Sequence, residues 1–354
     1  MRVTQLLPSV HSGDAVGDSA YEMHRALQSC GIESCMLGIN IDEHLKDRAI
    51  SFEQFSNYDS PDTVHIYHFA VPSPMSYAFK EAKGRKVLLY HNITPPHFFE
   101  GFSEDLVTIT TTGRHEIKLL ADATDLGLAD SEFNRLELEG YGYRKTGVLP
   151  ILLDFSKYEI PADPKVLEEF DDGRINILFV GRITPNKKQE DVIKAFTVYK
   201  RYIHDNSRLL LVGKYDPDER YVKILRELIE ELGIEDVHFS GHVTQAELNA
   251  YYRISRLLLC MSEHEGFCVP AVESCYFQLP ILAYDCTALP YTLGNSGVLF
   301  RKKSYAEIAE MMQELITDSA LRDAVIRGQT TRLAQFRKER ILPLLCQYLE
   351  SVSS

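Results

Sequence analysis

The stretch RLLLCMSEHEGFCVPAVESCYFQL (residues 256–279) predicts a strand, a loop and a helix in succession. Its first six residues form an apolar run without alternation, which is typical of a buried strand in a parallel sheet. Pro270 stands near the first position of the helix, where a missing N–H costs nothing. Glu265 therefore follows the carboxyl end of a strand, and Glu273 is expected in the first turn of the helix. Open α/β sheets bind their ligands at that edge.

Two carboxylates beside a helix start would suit a polyol that is joined to a phosphate, because the first N–H groups of a helix bind anions. A plainer interpretation is equally open at this point. Glu273 would then only complement the helix dipole, and Glu265 would be solvated.

Strand and helix patterns alternate along nearly the whole chain, and this alternation predicts two doubly wound, Rossmann-like α/β domains that face a cleft. Between the strands lie helical patterns such as SAYEMHRALQSCG, whose apolar residues recur on one face. The predicted strands are RVTQLLPSV, SCMLGI, TVHIYHFA, KVLLYHN, TITTT, LGLADS and TGVLPIL in the first half, and NILFVGRI, RLLLVGKY, DVHFSG, RLLLCMS, PILAYD and GVLF in the second half.

The predicted first domain spans residues 1–155 and the second spans residues 175–336. The stretch between them, residues 156–174, is polar and contains two prolines, which indicates an interdomain linker. The pattern after the second domain is helical, and residues 337–354 are expected to form a C-terminal helix.

Composition excludes several classes of protein. The chain has 354 residues, 45% of them hydrophobic and 25% charged, which is typical of a globular protein of two domains. The net charge of −13 argues against nucleic acid as a partner. There is no run of about 18 apolar residues that would predict a transmembrane helix, and the start of the chain has the pattern of a strand, not of a signal peptide.

The seven cysteines are scattered and include no C-x-x-C pair, which indicates reduced thiols in a cytoplasmic protein. Most are expected in the core, with Cys268 set apart by its loop. One basic cluster stands out, and it is either a solvated helix end or a weak contact with anionic lipid at the inner membrane face or with an anionic acceptor. It consists of Lys80, Lys83, Arg85 and Lys86.

A second strand end carries two cations. NILFVGRI runs into a Pro-Asn turn, with Arg182 before the turn and Lys187 directly after it. An Arg fork and a Lys point charge would neutralise a diphosphate, although solvated surface cations are the simpler alternative. Cations for phosphates and acids for hydroxyls on one sheet edge describe a nucleotide-sugar site. Gly13 and Gly17, placed between the first strand and the first helix, permit close approach of an anion or a sugar, or form a plain tight turn.

Four motifs now appear in a fixed order: GRITPNKK, VGKY, HFSGHV and EGFCVPAVES. In this order they resemble the retaining GT-B glycosyltransferases of family 4, whose pattern is GR-x-x-P-x-K-G, VG-x-G, F-x-G and E-G-F-G-x-P-x-x-E-A. The first half resembles the family through SGDAVGDSA and YHNITPP. The resemblance extends from Met1 to about Phe336, and it implies C-terminal helices that cross back to the first domain.

The resemblance implies roles for single residues. Arg182 and Lys187 would neutralise the diphosphate leaving group of the donor. Glu265 would bind hydroxyls of the donor sugar, Glu273 would hold the ribose hydroxyls, and His91 would lie beside the transferred sugar. Without the resemblance, His91 is as well explained as a packing histidine with satisfied hydrogen bonds.

The remaining donor-binding positions are expected to act mainly through their backbone. Gly13 and Gly17 would close over the diphosphate, and Gly181 precedes the motif arginine. Three positions would lie near the base: Gly241, His242 and Val243. Three more would offer N–H groups near the sugar: Gly266, Phe267 and Cys268.

The chain departs from the family pattern at three places. Cys268 replaces the second Gly of E-G-F-G, Lys188 replaces the Gly after the motif lysine, and the usual double Gly is split into Gly13 and Gly17. No D-x-D stands at a strand end, so no bound metal is expected, and the two cations would take its place.

The resulting hypothesis is a metal-independent, retaining hexosyltransferase without a cofactor. Its co-substrate would be a UDP- or GDP-linked sugar, and its acceptor a glycan, a lipid-linked saccharide or a small molecule. The alternatives are a GT-B nucleotide-sugar epimerase or phosphorylase, and a non-catalytic module that binds nucleotide sugars. Release of nucleoside diphosphate without an acceptor would discriminate the first alternative, and binding without transfer the second.

Overall fold

The computed structural model describes residues 1–11 and 13–353, so Ser12 of the first glycine loop and Ser354 of the predicted C-terminal helix lie outside the described residues. All paired strands run parallel. The strands are β1 (Arg2–Val10), β2 (Glu33–Ile41), β3 (Ile50–Ser51), β4 (Thr63–Phe69), β5 (Arg85–Tyr90), β6 (Leu126–Ala129), β7 (Thr146–Val148), β8 (Ile175–Val180), β9 (Ser207–Val212), β10 (Val237–Gly241), β11 (Ser255–Cys260), β12 (Ile281–Tyr284) and β13 (Val298–Phe300).

Helices connect most of these strands. They are α1 (Ala15–Ser29), α2 (Met75–Glu81), α3 (Glu104–Leu120), α4 (Glu132–Gly140), α5 (Pro164–Phe170), α6 (Gln189–Tyr202), α7 (Arg220–Leu232), α8 (Gln245–Ile254), α9 (Val269–Tyr276), α10 (Leu289–Leu293), α11 (Tyr305–Thr317), α12 (Ser319–Leu333) and α13 (Lys338–Ser353).

The strands form two sheets, one with the order β3-β2-β1-β4-β5-β6-β7 and one with the order β10-β9-β8-β11-β12-β13. Both orders reverse direction in the middle, which is the doubly wound arrangement. Strand β9 is buried along its whole length, as its mostly apolar run without alternation predicts. Strand β4 is also buried throughout, although it contains Thr63, His65 and His68. The prediction of an α/β fold with two parallel sheets is confirmed.

The chain divides into two compact units. The first unit comprises residues 1–97, 103–154 and 335–354, and the second unit comprises residues 98–102 and 155–334. Helix α13 packs into the core of the first unit through residues that recur every three or four positions, as one face of a helix requires. These residues are Ile341, Leu345, Leu349 and Val352.

Residues 156–174, expected to be a linker, are largely folded within the second unit. A 3₁₀ helix covers Phe155–Glu159, and Asp163 caps α5 by accepting hydrogen bonds from the N–H groups of its first turn. Val166 and Phe170 are buried in the core of this unit. The stretch resembled a linker because α5 is short and buries only these two side chains. Its prolines also indicated a linker, but Pro164 is compatible with the start of a helix.

The stretch TITTT was predicted to be a strand and is instead the middle of α3. Ser103 caps this helix, and acidic residues in its first turn suit the helix dipole. The buried positions follow the helical spacing: Thr110, Gly113, Ile117 and Leu120. The β-branched residues favoured a strand locally, but the capping and the apolar face outweigh that weak preference.

Across residues 1–11 and 13–353, each helix is either too short or too polar to span a membrane.

Candidate functional site

The two predicted motifs of the second unit lie on one sheet edge, next to each other. Strand β8 pairs with β9 on one side and with β11 on the other, so the direction of strand order reverses between β8 and β11. The loops after β8 and after β11 are joined by two hydrogen bonds of Asn186. Its backbone O accepts from Glu263 N at 2.9 Å, and its side-chain Nδ2 donates to His264 O at 3.1 Å. This reversal is the place where open α/β sheets bind ligands.

Lys187 and Glu265 meet at this edge. Lys187 Nζ donates to Glu265 Oε2 at 2.6 Å, and the exposed fractions of the two side chains are 22% and 8%. Burial opposes the charge on Lys187, but the carboxylate of Glu265 outweighs burial, so the pKa of Lys187 is raised. Thr287 Oγ1 accepts from Glu265 N at 2.9 Å and fixes the loop from the other side. The sequence placed both residues at strand ends but did not predict that they pair.

Arg182 follows β8 and is exposed to solvent. Among the residues that the structure describes, its guanidinium makes no ion pair, while its backbone O accepts from Gln189 Nε2 at 2.9 Å. The preceding Gly181 and the glycine after β9, Gly213, come very close together. A Cβ added to Gly213 would lie 2.0 Å from Gly181 O, so the VG motif serves close backbone packing here.

The loop before α9 has an unusual backbone at Cys268. This residue caps the helix with φ +72°, a left-handed conformation that favours glycine. Pro270 stands in the first turn of α9, as predicted. Cys268 is buried with Cys260, contrary to the expectation that its loop would set it apart from the core. Whether the backbone N–H groups of Gly266, Phe267 and Cys268 face a sugar stays a prediction.

Glu273 is buried and held by two tyrosines. Tyr158 Oη donates to Oε1 at 3.0 Å, and Tyr252 Oη donates to Oε2 at 2.8 Å. Burial, reinforced by the Glu273 carboxylate, raises the pKa of Tyr252 well above its ordinary value, so this phenol remains a donor. The sequence predicted Glu273 in the first turn of α9. It is instead the fifth residue of that helix and lies beyond the first turn. The plainer interpretation, in which Glu273 only complements the helix dipole and Glu265 is solvated, does not fit the burial of both residues.

The three positions expected near a base lie at the end of β10. Gly241 is the last residue of that strand and has φ +73°. His242 is exposed and Val243 is half-buried. They share the sheet edge of Lys187, but β9 lies between β10 and β8.

His91 follows β5 in the first unit, and both of its ring nitrogens have partners. Nδ1 lies 2.9 Å from Asp130 Oδ2 and Nε2 lies 2.9 Å from His68 Nδ1, while His68 Nε2 lies 2.9 Å from Gln5 Oε1. The exposed fraction of the His91 side chain is 2%. Burial, and then the charge of His91, lower the pKa of His68 well below its ordinary value, and burial raises that of Asp130. These contacts are those of a packing histidine with satisfied hydrogen bonds.

The predicted glycine loop of the first unit is shorter than the sequence suggested. Asp14 caps α1 by accepting a hydrogen bond from Gly17 N at 3.2 Å, so Gly17 is part of the helix and does not precede it. Gly13 stays outside the helix and has φ +73°. Asp14 lies between Gly13 and Gly17, and its capping bond is the reason that Gly17 belongs to the helix.

Comparison with known proteins identifies the second unit. The family described as "Glycosyl transferases group 1" matches residues 163–332.

The second unit resembles a group 1 glycosyl transferase domain.

Curated relatives match parts of this chain. The serotype-specific mannosyltransferase WbdA of Escherichia coli is 30% identical over 146 residues, which are 41% of this chain and 18% of WbdA. The O-antigen chain mannosyltransferase B of E. coli is 25% identical over 69% of this chain and 65% of its own length. The chain thus matches less than a fifth of WbdA and less than two thirds of mannosyltransferase B.

Solved structures share the fold of this chain at low identity. Sucrose-phosphate synthase from Thermosynechococcus elongatus has a TM-score of 0.75 and 17% identity, over 99% of both chains. Anabaena Alr3699/HepE, solved in complex with UDP-glucose, has a TM-score of 0.76 and 18% identity, over 99% of this chain and 100% of its own. These structures are GT-B glycosyltransferases, which confirms the predicted GT-B fold.

Sequence reasoning missed three residues of this site. Tyr158 and Tyr252 hold Glu273, and Thr287 holds the backbone of Glu265. Tyr158 lies in the predicted linker. A large aromatic residue in this polar stretch was the one feature of the sequence that could have indicated a buried role for it. Tyr252 and Thr287 carried no signal, because their role depends on a loop or helix packed against them.

Proposed function

We propose that this chain is a retaining, metal-independent glycosyltransferase. It would move a hexose from a nucleoside-diphosphate sugar to a glycan, a lipid-linked saccharide or a small-molecule acceptor. The observation that carries the proposal is the Lys187–Glu265 pair at the strand-order reversal between β8 and β11. UDP-glucose bound to a GT-B neighbour and mannosyltransferases among the relatives support a UDP- or GDP-linked hexose as donor.

The pair suits the charges that the reaction creates. Breaking the anomeric C–O bond leaves positive charge on the sugar and negative charge on the departing diphosphate. Lys187 has three N–H donors, so its ammonium can hold Glu265 and a phosphate oxygen at once. Because Glu265 compensates much of that charge, the exposed Arg182 would supply the remaining charge for the diphosphate. Glu265 would orient the sugar through its hydroxyls.

Glu273 would hold the ribose of the donor. Its two carboxylate oxygens each accept one phenol hydrogen bond and keep further lone pairs for hydroxyl groups. The two tyrosines fix the carboxylate before a ligand arrives, which reduces the entropic cost of binding. The backbone of Gly181, of residues 241–243 and of residues 266–268 would complete the donor site.

The first unit would bind the acceptor. His91 would lie there beside the transferred sugar, with Asp130 and His68 determining its orientation. Gly13 and Gly17 would contribute to diphosphate binding. We also infer weak peripheral contact with anionic membranes at most. Lys80, Lys83 and Arg85 are exposed, whereas Lys86 Nζ donates to Ala82 O at 2.7 Å.

Direct binding of nucleoside diphosphates tests the donor assignment. The double variant Arg182→Ala, Lys187→Ala should lose binding of UDP and GDP in calorimetry, because both cations of the diphosphate site are gone. Arg253→Ala is a matched control, since this exposed cation precedes β11 at the opposite edge of the same sheet. Unchanged binding in the double variant would contradict the proposal.

The reaction itself is tested with radiolabelled UDP- and GDP-hexoses and a pool of acceptors. Transfer should persist in EDTA, and NMR of the product should show the anomeric configuration of the donor. Glu265→Gln should slow transfer roughly 10- to 100-fold, as expected for one lost charge-assisted hydrogen bond of about 1.5–3 kcal/mol. An inverted product, or activity that requires added Mn²⁺, would refute the mechanism. Release of nucleoside diphosphate without an acceptor would favour an epimerase or a phosphorylase.

A further inference from the structure

Two thiols and a carboxylate converge beside the ion pair described above. Cys260 ends β11, and Glu265 and Cys268 belong to the loop that follows this strand. One ligand atom of each residue lies within 4.8 Å of the others, and all three residues are buried. We propose that Cys260, Glu265 and Cys268, called here the thiol–carboxylate cluster, bind a thiophilic divalent cation, represented by Zn²⁺.

The geometry of the thiol–carboxylate cluster is close to that of a tetrahedral site. Zinc binds thiolate sulfur at about 2.3 Å and carboxylate oxygen at about 2.0–2.2 Å, so two ligand atoms of a tetrahedral site are roughly 3.6–3.8 Å apart. The observed separations of at most 4.8 Å therefore require movements of about 1 Å. Rotation of side chains in a loop can supply such a movement. The fourth position would belong to water, as in sites with three protein ligands.

The charges also favour a divalent cation. Bound to metal, the cysteines are thiolates, and with Glu265 they carry three negative charges. Zn²⁺ and the neighbouring Lys187 ammonium balance those charges. With the metal absent and both thiols protonated, Lys187 and Glu265 balance each other at 2.6 Å. Both states are thus electrically neutral, so metal binding leaves no buried net charge. Two soft sulfur ligands select Zn²⁺ and similar ions over Mg²⁺ or Ca²⁺, which prefer oxygen.

Metal binding would compete with the donor sugar. A Glu265 carboxylate that coordinates Zn²⁺ no longer accepts hydroxyl hydrogen bonds freely, so the metal would act as an inhibitor and not as a cofactor. This consequence depends on the proposed function, whereas the metal site itself does not.

Titration with Co²⁺ tests the site, because thiolate ligands give Co²⁺ a strong charge-transfer absorption. The exposed Cys30 and the nearby Cys346 are first replaced by Ser, since they form a second pair of thiols in the first unit. The reduced protein should then bind one Co²⁺ with the spectrum of a tetrahedral site containing thiolates, and Zn²⁺ should displace it. An octahedral spectrum without charge-transfer bands would overturn the proposal.

Cys268→Gly is the decisive variant. Glycine adopts φ +72° freely, so the fold should be retained, which a melting curve checks. Its affinity for Co²⁺ should fall at least about 100-fold, which is the upper end of the loss seen when residues that only support metal ligands are replaced. Cys275→Ala is the matched control, because this buried thiol of α9 points to Ser296, and it should bind Co²⁺ normally. Equal affinity in Cys268→Gly and Cys275→Ala would refute the site.

The two proposals fail in different ways. The metal site fails if the reduced protein shows no thiolate–cobalt absorption, whatever it does with sugars. The proposed function fails if the metal-free protein binds no nucleoside-diphosphate sugar. If both hold, added Zn²⁺ should weaken binding of the donor sugar in the parent protein but not in Cys268→Gly.

Discussion

Replacement of Lys187 by Met should destabilise the protein, because it leaves the carboxylate of Glu265 buried without its partner. Breaking a buried ion pair costs about 3–5 kcal/mol. The side chain of Lys187 is 22% exposed, so water screens part of the interaction and we expect a loss of about 2–3 kcal/mol. Glu265→Gln should cost less, about 1–2 kcal/mol, since the remaining ammonium is nearer to water and the amide still accepts a hydrogen bond.

A double-mutant cycle separates the pair from the effects of each single change. The variants are Lys187→Met, Glu265→Gln and the combination of both, and the double variant should be more stable than the sum predicts by about 1–2 kcal/mol. Urea unfolding at pH 7 is followed by far-UV circular dichroism, since the chain contains no tryptophan. Arg182→Met is the matched control at the same sheet edge and should change the unfolding free energy by less than about 0.5 kcal/mol. A coupling energy below about 0.5 kcal/mol would refute the pairing of Lys187 with Glu265.

Further predictions concern the buried polar groups. Tyr158→Phe and Tyr252→Phe should each lower the unfolding free energy by about 1.5–3 kcal/mol, because each removes a hydrogen bond to the Glu273 carboxylate. In urea unfolding, Tyr276→Phe should have a smaller effect, because this ring packs against Tyr158 and, among the described residues, its phenol makes no hydrogen bond to Glu273. Equal losses would contradict the role of the phenols. The pH dependence of stability follows from His68, whose pKa is well below its ordinary value of about 6.5. Below about pH 6.5 His68 binds a proton in the unfolded chain but stays neutral in the folded chain. The free energy of unfolding should therefore fall on acidification from pH 7 to 5.5. The slope should be smaller in His68→Gln, and an unchanged slope would show that His68 does not contribute.

The amino-acid sequence determined the fold class and the sheet edge that carries the candidate site. Apolar runs without alternation are a local signal, and they identified the parallel strands because both faces of such strands are buried. A residue that follows a strand is placed at the carboxyl edge by chain direction alone. Arg182, Lys187 and Glu265 could therefore be assigned to one edge without knowledge of any contact.

Local preference misled the sequence analysis in two segments. TITTT is rich in β-branched residues, yet its helix is set by the cap at Ser103 and by an apolar face that the first unit buries. Residues 156–174 are polar overall, yet Val166 and Phe170 pack into the second unit. In both segments the free energy of burial depends on a partner surface elsewhere in the chain, and local composition does not contain that information.

Only the tertiary structure decided which groups meet at the site. Lys187 and Glu265 are 78 positions apart, and they pair because β8 and β11 are neighbours in the sheet. Glu273 lies between Tyr158 and Tyr252, and the cluster that includes Cys260 forms because a loop returns onto the end of its own strand. Strand order and loop return follow from packing of the whole unit, so contacts between distant side chains could not be predicted from spacing along the chain.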